Sequence, residues 1–362
     1  MNEEFIGLTT ASTNHALPCI IVQLGYGGDV MELIEAISLY MDYCSGRQLR
    51  NKTQESYKQT LRLFAAWIIN EQQIREVRDI SERHIRLYTA WLRNRGKYTF
   101  SYSADTELSN TPSHRRDYNQ PITITTVNNY LRNLRSFFVW LVDEEVIETS
   151  PMRKVKLIPN TRVAKNYLED DEVRRLIASM RRSVFYEYRD LIAMMVMLDC
   201  GTRLGETLAI EVAEIDLTDR IIYLPPEKTK SHRGRTVFFS ERTANELCKW
   251  IQYKDRHCRS HLLLPIKKTG EQVSIGGYER NFRKYIDRAG ITLRITPHTL
   301  RNNFAKRCLL SGMDIYTLSR ILGHSSITIT ERAYLDITQR DLQNKYEQHS
   351  PLASIYRDKT KR

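Results

Sequence analysis

No apolar run in the sequence approaches the ~18–20 residues that a bilayer-spanning helix needs, which excludes a helical membrane protein. Cysteine is scarce: 6 residues (Cys19, Cys44, Cys200, Cys248, Cys258 and Cys308) lie scattered, with no CxxC pair. That argues against a disulfide scaffold or a zinc ribbon and for a reducing, cytoplasmic setting. The start, Met1-Asn2-Glu3-Glu4, is acidic and lacks the basic segment and apolar core of a signal peptide, so secretion is not expected. HExxH is absent, and neither His298 nor His324 has a cysteine or carboxylate at ligand spacing, so no metal site is expected. There is no GxxxxGK[ST] loop to cradle ATP and no GxSxG elbow for a serine hydrolase. No cofactor is expected.

Positive charge is what the sequence holds in excess. Across 362 residues, 55 Lys+Arg stand against 43 Asp+Glu, a net of +12, in an otherwise ordinary globular mix of 41% hydrophobic and 27% charged residues. The excess is one-sided. Residues 1–150 carry 16 basic and 18 acidic side chains, net −2, whereas residues 151–362 carry 39 and 25, net +14. A basic balance points to a polyanion, and the split directs the search for phosphate chemistry to the second part. The length fits two domains, each with enough material for a core.

Residues 1–28 show no clean period and read as an N-terminal extension. From Asp29, a candidate N-cap, apolar residues recur at three- and four-residue spacing (Val30, Leu33, Ile34, Ile37, Tyr40, Met41), which predicts an amphipathic helix. Asn51-Lys52-Thr53 opens a second helix (Tyr57, Leu61, Phe64, Ala65, Ile68) and Ser81 caps a third (His84, Ile85, Tyr88, Leu92). Residues 94–121 are polar and aperiodic, a long insertion. A strong helix follows from Thr126, with Val127, Tyr130, Leu131, Leu134, Phe137, Phe138 and Leu141 on its apolar face and Arg132 and Arg135 off it. Residues 29–149 therefore read as an all-helical domain. Pro151 and Pro159 enclose a basic cluster, so 150–166 reads as a linker. The second domain, 167–348, starts at an acidic helix terminus and is mostly helical, with one clear hairpin, Arg220–Leu224 and Arg235–Phe239. Residues 349–362 form a tail.

Four segments of the second domain could carry chemistry. In Gly201-Thr202-Arg203-Leu204-Gly205-Glu206 an apolar helix ends and another begins, so the Arg203 fork sits where free N–H groups point, a setting for an oxyanion. On this segment alone a surface Arg203–Glu206 pair is the commoner reading of that spacing. The hairpin loop carries Lys228, Lys230, Arg233 and Arg235, and a lysine there could protonate a leaving oxygen or be merely solvated. In Thr296-Pro297-His298-Thr299-Leu300-Arg301, a capped, proline-started helix brings an imidazole, a guanidinium and the positive dipole end together. Leu322-Gly323-His324-Ser325-Ser326-Ile327-Thr328 places His324 after a helix-ending glycine, with Tyr334 ten residues later. With 20 tyrosines in the chain, spacing alone does not select Tyr334 as a nucleophile.

Taken in order, Arg203, Lys230, His298, Arg301, His324 and Tyr334 closely resemble the catalytic set of the tyrosine recombinases, the phage-type integrases. The resemblance implies a mainly α (α+β) protein: an all-helical core-binding domain and a mostly helical catalytic domain with a small antiparallel β-sheet, forming a C-shaped clamp on double-stranded DNA. It implies that Arg203 and Arg301 hold the scissile phosphate, that Tyr334 forms a 3′-phosphotyrosyl link and that Lys230 protonates the 5′-oxygen. His298 would assist as base or acid, and His324 would hydrogen-bond the phosphate. Bond energy is conserved in that link, so neither ATP nor metal is required. Lys52, Arg132, Arg135, Lys228, Arg233 and Arg235 are the expected DNA contacts. After Arg301 the sequence departs from the family, with Asn302-Asn303 where His and Ser/Thr are commoner.

The resemblance further implies homo-oligomers on DNA, dimer to tetramer, with accessory recombination proteins as further partners. Integration or excision of a mobile element is the leading expectation. A chromosome-dimer resolvase, a type IB topoisomerase and a non-catalytic DNA-binding regulator of the same fold are the alternatives.

Overall fold

The computed structural model describes residues 31–100, 115, 117–160, 166–230, 232–324, 326–334 and 339–352. The N-terminal extension, Asp29, most of the insertion and the tail beyond 352 lie outside the described residues. The chain divides into two compact units, Met1–Arg162 and Val163–Arg362.

In the first unit the described helices are α1 (Leu33–Gly46), α2 (Asn51–Gln72), α3 (Glu82–Asn94) and α4 (Ile124–Asp143). Each buries one stripe. Leu61, Phe64, Ala65 and Ile68 of α2 meet Leu131, Leu134, Phe138 and Leu141 of α4 in a core that also holds Tyr40, Tyr88 and Phe137. Aromatic rings interlock there edge to face, Phe64 against Tyr88 at 5.0 Å between centroids, a packing that adds to simple area burial. Ser81 starts α3 with a capping box closed by His84. The proline-bearing segment after α4 is packed, not free. Met152 and Val155 are buried in this core, and Asn128 exchanges two hydrogen bonds with the Ile158 backbone at 2.8 and 2.9 Å.

The second unit is organised around α6 (Phe185–Cys200), which follows α5 (Asp170–Ala178). Leu191 to Met197 are all buried, because a helix that is apolar on every side can only be central. Gly201 ends α6 at φ +66°, and a Cβ there would come within 2.3 Å of the Phe304 ring, so glycine is required twice over. After the short α7 (Leu204–Leu208) come β1 (Ile215–Asp216), β2 (Ile221–Leu224) and β3 (Arg235–Phe238), in spatial order β1-β2-β3 and antiparallel throughout. The expected hairpin thus gains a third, two-residue strand. Ile222 pairs with Val237, and both face the core. The remaining described helices are α8 (Glu241–His257), α9 (Ile275–Arg288), α10 (Pro297–Leu310), α11 (Ile315–Leu322), α12 (Ile327–Tyr334) and α13 (Gln339–His349). Phe304, Ala305 and Leu309 of α10 and Leu318 and Leu322 of α11 form a small second core, which fixes the C-terminal end of α11 against α10.

Candidate functional site

Two left-handed turns build the site: Gly201 after α6 and Gly323 after α11, the latter at φ +63°. Each turn leaves carbonyls at a helix C-terminus without an intrahelical partner. Arg301, on α10, takes one from each side, donating to Gly201 O at 2.6 Å and to Leu322 O at 2.7 Å. Its guanidinium is 3% exposed and also donates to His324 Nε2 at 3.0 Å. His324 Nδ1 lies 2.8 Å from Thr330 Oγ1, on the fully buried Thr330 of α12.

Arg203 is the N-cap of α7. Its backbone N–H donates to Glu206 Oε2 at 2.9 Å, and its side chain donates to Glu206 Oε1 at 2.7 Å and Gly323 O at 3.5 Å. The carboxylate is shared: Arg235, at the start of β3, donates to both Glu206 oxygens at 2.6 and 3.2 Å and to Ile321 O at 2.9 Å. Arg203 and Arg235 therefore share a single anion, Glu206, whose charge Arg301 also feels. Burial pushes the Arg301 pKa down to about 9, and Arg203 and Arg235 add to the shift. It stays charged at neutral pH. Burial and the same three arginines, with His298, push His324 down to about 4, so its imidazole is neutral. A site this rich in cations is poised for an anion, and one nonbridging phosphate oxygen would relieve the repulsion.

Arg203, Gly323 and His324 border a cleft of about 930 Å³, together with Lys230 and Arg233 of the hairpin and Thr317 and Arg320 of α11. Arg203, Arg301 and His324 thus come together from α7, α10 and the turn after α11. Lys230 is exposed on the cleft's hairpin side, His298 is exposed at the second position of α10, and Tyr334 ends α12.

The expected DNA contacts separate into two groups. Lys52 and Arg132 are exposed on the first unit, Arg132 donating to Asn129 Oδ1 at 2.7 Å, and Arg233 is exposed on the hairpin. Lys228, Arg235 and Arg135 are occupied within the protein. Lys228 is pinned between Glu211 and Glu214 at 2.7 and 2.6 Å, with 15% of its side chain exposed. Arg235 is 8% exposed on Glu206, and Arg135 donates to Val155 O at 2.5 Å. The physical reason is the same for all three: a carboxylate or carbonyl left by local chain geometry claims the cation before solvent does.

Sequence reasoning gave Glu206, Arg235 and Thr330 no part in orienting the site. A signal existed for Arg235, which stands two residues from Val237 on a strand and so shares its inward face. None existed for Thr330, because its partner is fixed by the turn after α11. Among the described residues no helix is long and apolar enough to cross a membrane.

Two family models match the chain: "Phage integrase family" over residues 166–340 and "Phage integrase, N-terminal SAM-like domain" over 33–110. Among curated proteins, the tyrosine recombinase XerC of Listeria innocua is 26% identical over 325 residues, covering 87% of this chain and 97% of its own. The tyrosine recombinase XerD of Shewanella oneidensis is 24% identical over 314 residues, covering 86% and 94%. Among solved structures, the Tn1549 transposon integrase in complex with a circular intermediate DNA superposes with a TM-score of 0.65 at 15% identity, covering 86% of this chain and 99% of that one. A lambda integrase dimer bound to a core site superposes at 0.62 and 15% identity, covering 88% and 81%. At such identities these two likenesses speak for the fold.

Proposed function

The chain belongs to the phage integrase family of tyrosine recombinases, enzymes that cut and rejoin DNA, and from that premise we propose that it does so at specific sites through a 3′-phosphotyrosyl intermediate, to integrate or excise a mobile element. The observation that carries the reading is the convergence of Arg203, Arg301 and His324 on two glycine turns, with one carboxylate shared by Arg203 and Arg235.

In this reading the scissile phosphate lies across Arg203 and Arg301, which hold its nonbridging oxygens as charge builds in the pentacoordinate transition state. Tyr334 Oη attacks phosphorus and the P–O5′ bond breaks. His298 takes the phenolic proton, and Lys230 gives one to the departing 5′-oxygen. Rejoining runs the same steps backwards with a new 5′-hydroxyl, so no external energy enters. A phenol of ordinary pKa ~10 is a weak nucleophile, and in this reading the guanidiniums that hold the phosphate would favour its oxyanion.

Double-stranded DNA and further copies of the chain are the partners this reading requires. A second reading, resolution of chromosome dimers, is favoured by the length over which XerC and XerD align, nearly the whole of each relative.

The test is a nicked suicide duplex carrying the element's end, run on a denaturing protein gel. Wild type gives a covalent protein–DNA adduct and Tyr334→Phe gives none; an undiminished adduct in the variant overturns the nucleophile. Arg203→Ala loses cleavage by at least about 10²-fold while duplex affinity stays within a few-fold. Joining of the element's own ends, against resolution of a chromosomal dimer site, separates the two readings.

A further inference from the structure

We propose that Thr330 is a positioning residue: it fixes the tautomer of His324 and ties that imidazole to the helix that carries Tyr334. The inference rests on the recombinase reading for the role of His324, but its geometry stands independently.

A guanidinium has donors only, so the nitrogen that faces Arg301 Nη2 at 3.0 Å must offer a lone pair. That nitrogen is His324 Nε2. A neutral imidazole carries one N–H, which is therefore on Nδ1 and donates to Thr330 Oγ1 at 2.8 Å. Thr330 is fully buried, so water cannot replace the hydroxyl. The groups that face His324 are Arg301 and His298 from α10, Arg203 from the start of α7 and Arg235 from β3, and with burial they all disfavour a second proton.

The consequence concerns the loaded site. His324 accepts from Arg301 and has no hydrogen to give on that side. A phosphate oxygen arriving at Arg301 competes for the Nη2 donor, and the added negative charge favours uptake of a proton from solvent onto Nε2, which then donates to the phosphate. Nδ1 keeps its bond to Thr330 through both states, so the ring gains a proton without turning. Thr330 stands one helical turn before Tyr334 on α12, so the same bond holds the histidine in register with the nucleophile's helix. A valine has the same shape without the oxygen and leaves Nδ1–H buried and unpaired.

The experiment uses the full chain with 15N-labelled histidine, in wild type, Thr330→Val and Thr330→Ser. NMR reads the His324 tautomer, and the suicide duplex reads the adduct rate and affinity. The expected result is an Nδ1–H tautomer in wild type and a mixture of tautomers in Thr330→Val. The adduct rate falls at least about tenfold with duplex affinity within about twofold, as for other partners that hold a catalytic imidazole, and Thr330→Ser restores both readouts. An Nε2–H tautomer in wild type, an unchanged tautomer and rate in Thr330→Val, or an equal loss in Thr330→Ser would overturn the proposal. Absence of any adduct in wild type defeats the recombinase reading instead, and the tautomer of the three proteins still judges Thr330.

Discussion

A single carboxylate organises the charge of the site. Glu206 is 3% exposed and accepts from Arg203 and Arg235 together, and their hydrogen bonds hold its pKa below the usual range against the opposing effect of burial. His324 pays the electrostatic cost, since burial and the guanidiniums around it disfavour its protonation. This has a sign in acid. The folded-state pKa of about 4 lies below the ordinary value of 6.5, so between the two the unfolded chain binds a proton that the folded one refuses. Stability from this group is complete above about pH 6.5 and is lost as the pH falls towards 4. His324→Gln, which keeps an amide for Arg301 and Thr330, should therefore lose less stability than wild type between pH 7.5 and 4.5. The difference is about 1–2 kcal/mol, after allowance for partial solvent access. Urea unfolding at the two pH values measures it, and parallel losses in both proteins would remove His324 from the account.

The hairpin shows what an element decides that its residues cannot. Lys228 and Lys230 are two apart in the sequence, and composition treats them alike. The short 3-10 turn at Pro226–Lys228 sends Lys228 back onto Glu211 and Glu214, whereas Lys230 lies beyond it on the cleft. Lys228→Ala should lower the melting temperature by roughly 2–4 °C, about 1 kcal/mol, and leave the adduct rate within about twofold. Lys230→Ala should leave the melting point alone and slow the adduct by about 10²-fold or more. A duplex with a sulfur leaving group in place of the 5′-oxygen needs no proton, so it should restore Lys230→Ala; failure of that rescue would deny Lys230 the role of acid. Helices were legible because their signal is periodic and local. The stripe Val127, Leu131, Leu134, Phe138 announced α4, and Gly201 and Gly323 announced the ends of α6 and α11. Strand β1 was not legible, because Ile215-Asp216 has no pattern until β2 pairs with it. The motif arginines could be recognised, and so could the local Arg203–Glu206 pair, but the partners that come from other elements could not. Glu206–Arg235 and His324–Thr330 are contacts between elements, set by packing and not by spacing.

At the scale of the whole molecule, the number of basic residues overstates how many cations DNA can meet. The second part carries 39 of them, yet Arg181 and Arg288 close on Glu187, Arg182 on Glu246, Arg189 on Asp190 and Lys228 on two glutamates. An ammonium already neutralised by carboxylates releases no counterion from DNA. The first part is net −2 and can hold DNA only through placed residues such as Lys52 and Arg132, both exposed. Salt titration separates the two kinds of cation, because each phosphate neutralised contributes about −0.9 to the slope of log K against log salt concentration. Lys52→Gln and Arg132→Gln should each make the slope shallower by about 0.9. Lys228→Gln should leave it unchanged, although it carries the same formal charge change. Binding of the full chain to one duplex between about 50 and 200 mM salt is the measurement. An equal change of slope in all three variants would mean that net charge, not placement, holds the DNA, and would return the contact assignments to the bulk composition from which they began.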